Sequence, residues 1–274
     1  MIIRIDKMAA LTIAVAVAGC GGTTGERRAR LMPTVGLPDA GPEVAHEPPF
    51  MCSGSIAALD CTNPFKLGPD GHVTDFSMRE WSSGSGKWCD ASGMHGSIFS
   101  FKGNAPMDNN GSSVDMDGSL RLMLSVSSGS YGGGGLAFEA GCLDASEFTG
   151  VTFSVAVASG SLSGCALQLQ LQTFEQRPTT QSPAGGCDQN TTSCYSYPAA
   201  TGLPAASTDI TMPTVVNIPF TSFGRAQTAP APTQIVGLQW QVNSSSGACT
   251  VELRIDDVGF IPAAAPPPND GGTD

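Results

Sequence analysis

Basic residues are scarce in this sequence, and their scarcity excludes one class of partner. Lys and Arg number 13 against 24 Asp and Glu, which gives a formal net charge of -11 and a sequence pI of about 4.5. A protein that binds nucleic acid needs a basic surface to neutralise phosphates. We therefore expect no nucleic-acid partner.

Catalytic signatures are also missing. The chain has three histidines and contains neither Gly-x-Ser-x-Gly nor His-Glu-x-x-His, so the common serine-hydrolase and zinc-protease motifs are absent. Glycoside hydrolysis needs only two well-placed carboxylates, and the sequence singles out no such pair. A non-enzyme is favoured, and a glycan hydrolase remains the third of three functional hypotheses.

Helical periodicity is absent after the N-terminal segment, whereas 34 glycines and 20 prolines favour turns. Apolar residues instead alternate at period two, which is typical of strands with one buried face. Strands are predicted at residues 73–76, 98–102, 120–126, 136–138, 151–157, 165–173, 215–218, 235–242 and 249–260. Trp240 has the parity of a core residue. The pattern predicts an all-β, two-sheet sandwich.

The N-terminus predicts export and a lipid anchor. Residues 1–19 contain Arg4, Lys7 and a short apolar run, as in a secretory signal. The Val-Ala-Gly-Cys sequence ending at Cys20 resembles the lipobox of bacterial lipoproteins, in which the cysteine is lipidated after cleavage. The resemblance implies an outer-membrane lipoprotein that faces the periplasm or the surface. The alternative is an ordinary signal peptide with an incidental cysteine.

Composition divides the rest of the chain into three parts. Residues 20–49 are rich in Pro, Gly, Arg and Thr without apolar period, and they predict a flexible tether. Residues 50–261 carry all predicted strands and form the domain. Residues 262–274, rich in Pro, Ala and Gly, predict a disordered tail.

Eight of the nine cysteines remain once Cys20 is assigned to lipid. An even number in an exported chain, with no Cys-x-x-Cys, favours disulfides. The candidates are Cys52, Cys61, Cys89, Cys142, Cys165, Cys187, Cys194 and Cys249. Small loops closed by Cys52 with Cys61 and by Cys187 with Cys194 are expected from their proximity in sequence.

The last strand carries a family resemblance. Its ending, Ile-Asp-Asp-Val-Gly-Phe at residues 255–260, resembles that of galactose-binding-like jelly rolls, in particular carbohydrate-binding modules of family 11. The resemblance implies a jelly-roll β-sandwich and a non-catalytic role in binding a polysaccharide or other glycan. It also implies a structural Ca²⁺ between the first and last strands, for which Asp75, Asp256 and Asp257 are the candidate ligands. The alternative is that these aspartates cap turns or are solvated.

The candidate binding residues lie on the polar side of the strands. Amides both donate and accept hydrogen bonds, as sugar hydroxyls require, and five glutamines face away from the predicted core. If strands starting at residues 120, 150, 165 and 235 share a sheet, Arg121 joins them. The stacking ring is expected from an aromatic residue of the loops or irregular segments, namely Trp81, Trp88, Tyr131, Tyr195 or Tyr197. The candidates are Gln168, Gln170, Gln172, Gln239, Gln241, Arg121, Tyr195 and Tyr197.

Two alternatives to a sugar site stay open. The glutamines are also a soluble choice for an exposed strand face. The second functional hypothesis is accordingly a structural or adhesion lipoprotein that binds a protein partner. Residues 175–213 carry no strand pattern, and a loop of that length within a compact domain favours a functional role.

Overall fold

The structure is a computed structural model. It describes residues 59, 61–76, 86–90, 92–115, 118–181, 183–190, 194–224, 232–245 and 247–264. The predicted signal peptide, Cys20, the tether, Cys52 and Trp81 lie outside the described residues. Within the described ranges there is no helix that is both long and apolar enough to cross a membrane.

The described chain is built from strands, with two 3₁₀ turns at Phe174–Gln176 and Phe220–Ser222. The strands are β1 (Phe65–Lys66), β2 (His72–Thr74), β3 (Lys87–Cys89), β4 (His95–Lys102), β5 (Asn109–Val114), β6 (Leu120–Val126), β7 (Tyr131–Phe138), β8 (Leu143–Asp144), β9 (Phe148–Gly160), β10 (Cys165–Thr173), β11 (Ala199–Ala200), β12 (Thr214–Pro219), β13 (Ile235–Ser244) and β14 (Cys249–Pro262).

The strands form two sheets. The eight-stranded sheet has the order β1-β8-β13-β7-β4-β3, with β10 paired to β13 and β11 paired to β10. The six-stranded sheet has the order β12-β9-β14-β6-β5, with β2 paired to β14. The predicted all-β, two-sheet jelly-roll sandwich is confirmed.

The core lies between the sheets, and its centre is an aromatic pair. Trp240 of the eight-stranded sheet and Phe153 of the six-stranded sheet are both fully buried, with ring centroids 5.5 Å apart in an edge-to-face arrangement. Such pairs add about 0.5–1.5 kcal/mol beyond the area they bury. The predicted core position of Trp240 is confirmed, and its neighbours Gln239 and Gln241 therefore face outward.

The strands starting at residues 120, 150, 165 and 235 do not share one sheet, so that expectation is wrong. β10 and β13 pair in the eight-stranded sheet, whereas β6 and β9 both pair with β14 in the other sheet. Alternation along a strand reveals which side is buried, but it does not reveal the neighbouring strand. Arg121 on β6 is therefore separated from the glutamines by the whole core.

A β-bulge interrupts the alternation at the start of β13, where the parity of Trp240 would place Val236 in the core. Gln172 pairs with Gly237, but Thr173 pairs with Ile235, so Val236 is the extra residue. Ile235 enters the main core, and Val236 packs with Leu59 and Cys142 in a separate cluster. A bulge reverses the alternation that precedes it, and the sequence pattern carries no mark of it.

Two polar or glycine-rich segments are strands that the sequence did not predict as such. Residues 132–135 precede the predicted strand at 136–138, but they lie inside β7. Residues 109–114 belong to no predicted strand, but they form β5, which pairs with β6 at the end of its sheet. Tertiary pairing has overridden weak local preference in both segments.

Three disulfides join cysteines that are both among the described residues. Cys187–Cys194 is confirmed, with a Cα–Cα distance of 5.8 Å. The expected Cys52–Cys61 loop is wrong, because parallel pairing of β1 with β8 brings Cys61 to Cys142, 4.9 Å between Cα atoms. Cys165–Cys249 connects β10 in one sheet to β14 in the other, and Cys89 is also disulfide-bonded.

Candidate functional site

The outer face of the eight-stranded sheet carries one kind of residue on each strand. β4 contributes aromatic rings, β7 contributes glycines, and β13 and β10 contribute glutamines. Strand register aligns these residues in two rows, Phe99–Gly135–Gln239–Gln170 and Phe101–Gly133–Gln241–Gln168. The result is a trough with a bare backbone floor, aromatic on one side and amide on the other.

The glycines of β7 make room for the rings of β4. A Cβ atom on Gly133 would lie 2.7 Å from Cζ of Phe101, and one on Gly135 would lie 2.9 Å from Cζ of Phe99. Both distances are shorter than van der Waals contact allows. The two rings can therefore lie against the sheet only because the neighbouring strand has no side chains there.

Three rings form a row along this side of the trough. The centroids of Phe99 and Phe101 are 6.2 Å apart, and those of Phe101 and Tyr131 are 6.4 Å apart. The planes of these pairs are inclined by 31° and 43°. Phe99 and Phe101 are half-buried, and Tyr131 is 43% exposed. The row offers apolar surface to a ligand in the trough.

The glutamines are bonded to one another. Gln172 Nε2 donates to Gln239 Oε1 at 2.8 Å, and Gln239 Nε2 donates to Gln170 Oε1 at 2.5 Å. Gln170 Nε2 then donates to Gln241 Oε1 at 3.2 Å. We call these four residues the glutamine ladder. Each amide has four hydrogen-bonding positions and the ladder occupies at most two of them with other glutamines.

The segment after β10 forms a wall beside the ladder. Tyr195, half-exposed, stands edge-to-face with Tyr197, with centroids 6.2 Å apart. The Tyr195 hydroxyl accepts hydrogen bonds from Gln181 and Gln189. The backbone φ of Tyr195 is 67°, which lies in the left-handed region. That conformation is uncommon for a bulky residue, and the adjacent Cys187–Cys194 disulfide constrains the chain that adopts it.

Two buried groups of the wall have shifted pKa values. Burial raises the pKa of the Tyr197 hydroxyl, which is buried without a hydrogen-bond partner among the described residues. Burial also lowers the pKa of the Arg177 guanidinium, an effect that Tyr197 and Tyr195 oppose. Arg177 is 4% exposed, and its Nε donates to the Pro183 carbonyl at 2.8 Å.

The trough and its wall enclose a groove of about 790 Å³, within the range of ordinary ligand sites. The described lining residues are aromatic, amide, hydroxyl or small residues with two cations, Lys102 and Arg177, and they include neither a carboxylate nor a histidine. The lack of carboxylates in the described lining contrasts with the net charge of -11 of the whole chain. The mixture of rings and hydrogen-bonding groups suits a polar ligand with apolar faces.

A buried carboxylate holds the turns beside Tyr131. Asp108 is 2% exposed, and its oxygens accept hydrogen bonds from the Ser127 N–H at 2.8 Å and the Ser130 hydroxyl at 2.5 Å. The Ser130 hydroxyl, together with the hydrogen bonds of Ser127, holds the pKa of Asp108 below its usual range. The Asp108 carbonyl accepts from Lys102 Nζ at 3.0 Å. This carboxylate therefore anchors one end of the aromatic row.

Most of the predicted binding residues come together here. Those lining the groove are Gln170, Gln172, Gln239, Gln241, Tyr195 and Tyr197. Gln168 lies in the second row and is half-buried. Arg121 is the exception, because it lies on the other sheet and bonds to Glu252 at 2.9 Å. Of the alternative rings, Tyr131 lines the groove, whereas Trp88 is buried in the core.

Sequence reasoning missed Phe99, Phe101 and Arg177. The two phenylalanines occupy alternate positions of a predicted strand, where aromatic residues usually face the core. Only the pairing of β4 with a glycine-rich strand signals otherwise, and that pairing is not visible in one sequence. Arg177 lies in a segment without periodicity, so nothing marked it out.

The predicted calcium ligands do not form one group. Within the described part of the chain, one set of side chains has metal-ligating atoms within 4.8 Å of one another, namely His72, Asp75 and Asp90. It contains Asp75 but neither Asp256 nor Asp257, and its imidazole nitrogen differs from the oxygen ligands that Ca²⁺ prefers. The Asp256 carboxylate instead accepts the N–H of Asp257 at 2.8 Å. Calcium binding stays a prediction.

Comparison with known proteins finds similarity in structure and not in sequence. No family model and no curated protein matches the chain. A family 11 carbohydrate-binding module from Clostridium thermocellum, solved with a β-1,3-1,4-mixed-linked tetrasaccharide, is 12% identical with a TM-score of 0.42, over 62% of this chain and 91% of that one.

Two further solved structures show the spread of the similarity. SGBP-B from a xyloglucan utilization locus of Bacteroides uniformis is 11% identical with a TM-score of 0.37, over 71% of this chain and 50% of that one. A β-1,2-glucanase from Parabacteroides distasonis is 14% identical with a TM-score of 0.35, over 66% and 22%. At these values the groove must be interpreted from its own residues.

We expect Asp108→Asn to destabilise the protein in a pH-dependent way. The variant leaves a buried donor poorly paired, which at pH 7 should lower the free energy of unfolding by about 1–2 kcal/mol. Because the pKa of Asp108 is lowered in the folded state, its contribution is complete above the unfolded value of about 3.9 and is lost as pH falls through the folded value. Urea unfolding of both proteins from pH 7 to pH 3 measures this.

The difference between the two proteins should therefore shrink as the pH is lowered below about 4. A difference that stays constant down to pH 3 would mean that the charge of Asp108 contributes nothing to stability. Asp209→Asn is the matched control, because the pKa of Asp209 is also lowered, chiefly by a hydrogen bond from Thr211, but its hydrogen bonds are exposed.

Proposed function

We propose that the groove binds a glycan, with its rings stacked on Phe99, Phe101 and Tyr131 and its hydroxyls bonded to the glutamine ladder. A sugar ring has apolar C–H faces and a polar edge, so it needs both kinds of surface at once. The observation that carries the proposal is the row of rings facing a row of amides across a glycine floor. Sites of this kind combine apolar walls with a few placed polar groups.

The same groove favours binding without hydrolysis. Most glycosidases use two carboxyl groups that flank the scissile bond, and the described lining contains none. The role proposed for the chain is that of a non-catalytic carbohydrate-binding module.

The aromatic row should dominate affinity. Phe101→Ala removes the central ring, and truncating a central aromatic anchor typically weakens binding by about 10- to 100-fold. We would identify glycans on an array with the wild-type protein and then titrate the strongest into each variant by calorimetry. Met123→Ala is the matched control, because Met123 is exposed on the outer face of the six-stranded sheet and should leave affinity unchanged.

Two outcomes would contradict the glycan proposal. Folded wild-type protein that binds nothing on the array would favour the protein-binding alternative. Equal affinity of Phe101→Ala and Met123→Ala would place the glycan elsewhere on the surface.

Tyr197→Phe should stabilise the fold or leave it unchanged, without changing affinity. The Tyr197 hydroxyl is buried, and none of the described residues bonds to it, so its removal relieves an unpaired polar group and leaves the free energy of unfolding equal or higher. Because the hydroxyl is buried, a glycan in the groove does not reach it. Calorimetry and urea unfolding of the same sample measure both quantities. A lower free energy of unfolding, or a loss of affinity, would contradict this interpretation of the hydroxyl.

We also propose that the module is lipid-anchored through Cys20 at the bacterial cell envelope. The proposal rests on the Val-Ala-Gly-Cys sequence that ends at Cys20. Mass spectrometry of protein extracted from membranes of a Gram-negative host should find a lipidated N-terminal Cys20, and Cys20→Ser should abolish the modification. An N-terminus at another residue, with an unmodified cysteine, would support the ordinary signal peptide.

A further inference from the structure

The glutamine ladder runs in one direction from end to end. Each member accepts through Oε1 from the residue before it and donates through Nε2 to the residue after it. Arg177 begins the series, because its Nη1 donates to Gln172 Oε1 at 3.3 Å. Asn243 ends it, because its Oδ1 accepts from Gln241 Nε2 at 2.6 Å.

Nothing within the ladder itself selects this direction. A glutamine amide turned over by half a rotation exchanges its donor and acceptor sides, and it fits the same space. If all four amides turned over together, each internal bond would reverse and their number would be unchanged. Asn243 would not prevent this, because it is also an amide that can donate or accept.

The Arg177 end is different, because a guanidinium only donates. Gln172 must therefore present its oxygen to Arg177, which turns its nitrogen toward Gln239. The same requirement then passes from Gln239 to Gln170 and on to Gln241. One donor-only group at a buried end is enough to determine the orientation of every amide in the series.

Arg177 is held firmly enough for this role. Its side chain is 4% exposed, and Nε donates to the Pro183 carbonyl. Its backbone N–H donates to the Thr173 carbonyl at 3.0 Å, and its carbonyl accepts from the Cys187 N–H at 2.9 Å. The Cys187–Cys194 disulfide constrains this part of the wall. The guanidinium therefore points at a defined place beside the ladder.

We propose that Arg177 is a positioning residue that sets the hydrogen-bond direction of the glutamine ladder, and through it decides which groups of a bound glycan donate and which accept. The second half rests on the proposed function. Each ladder amide keeps one N–H and one carbonyl lone pair outside the series. With the direction set, these groups occupy fixed and alternating places along the groove, and a ligand is selected by the hydroxyls that match them.

Side-chain amide signals of the ¹⁵N-labelled full chain test whether Arg177 sets the ladder direction, and this test needs no glycan. Wild-type protein should show one set of side-chain NH₂ signals for Gln170 and Gln239. Arg177→Gln introduces a group that both donates and accepts, and it should double or broaden those signals. Arg177→Lys retains a donor-only group and should restore a single set, which a merely space-filling role would not predict.

Doubled signals in the wild type, or a single unchanged set in Arg177→Gln, would overturn the positioning role. Doubled wild-type signals would overturn the role even if a variant failed to fold. On an array of neutral β-linked oligosaccharides, Arg177→Gln should bind a broader set than wild type and about 5- to 20-fold more weakly to the wild type's preferred members, whereas Arg177→Lys should keep the ranking.

The two hypotheses fail in different ways. Expected amide signals without any glycan binding would contradict the proposed function and leave the positioning role intact. Glycan binding with an identical ranking in wild type and Arg177→Gln would contradict the link between ladder direction and selectivity.

Discussion

The groove depends on a single steric constraint, the contact of the Phe99 and Phe101 rings with the bare backbone of β7. Rings on the outer face of a sheet normally stand among the side chains of neighbouring strands. Here Gly133 and Gly135 remove those side chains, so the rings lie low and a floor opens between them and the glutamines of β13. Glycine weakens a strand interior. In β7 this loss of strand stability accompanies the open surface that the groove needs.

The second requirement is rigidity at the polar side of the groove. Glutamine has flexible side-chain torsions, and ordering one in isolation has an entropic cost that a ligand would have to offset. In the ladder, the protein meets much of that cost before binding, because Gln172 and Gln239 are buried and bonded to each other. In the proposed role, Arg177 also orders these amides before binding, because it determines which side of each amide donates.

The wall and the sandwich contribute in different ways. In the sandwich, backbone register aligns the rings, glycines and glutamines in rows. The Trp240–Phe153 contact fixes the inner face of the sheet, so the residues next to Trp240 face outward. The wall is irregular chain, tied by Cys187–Cys194 and by the Tyr195 N–H bond to the Gln176 carbonyl at 3.0 Å. Binding residues carried on loops above a rigid scaffold are a common division of labour.

Period-two alternation was enough to determine the all-β class, the bounds of β6 and β10, the burial of Trp240 and the outward side of the ladder glutamines, because each depends only on neighbours along one strand. Tertiary structure alone decided that Arg121 lies away from the glutamines, that Phe99 and Phe101 face the groove, and that Arg177 meets Gln172. The first two facts depend on which strands pair and in what register, and pairing is settled by the packing of the whole core. The third depends on the turn after β10 and on the irregular wall, which hold Arg177 through the Thr173 and Pro183 carbonyls. A single sequence records the faces of its strands but not their partners.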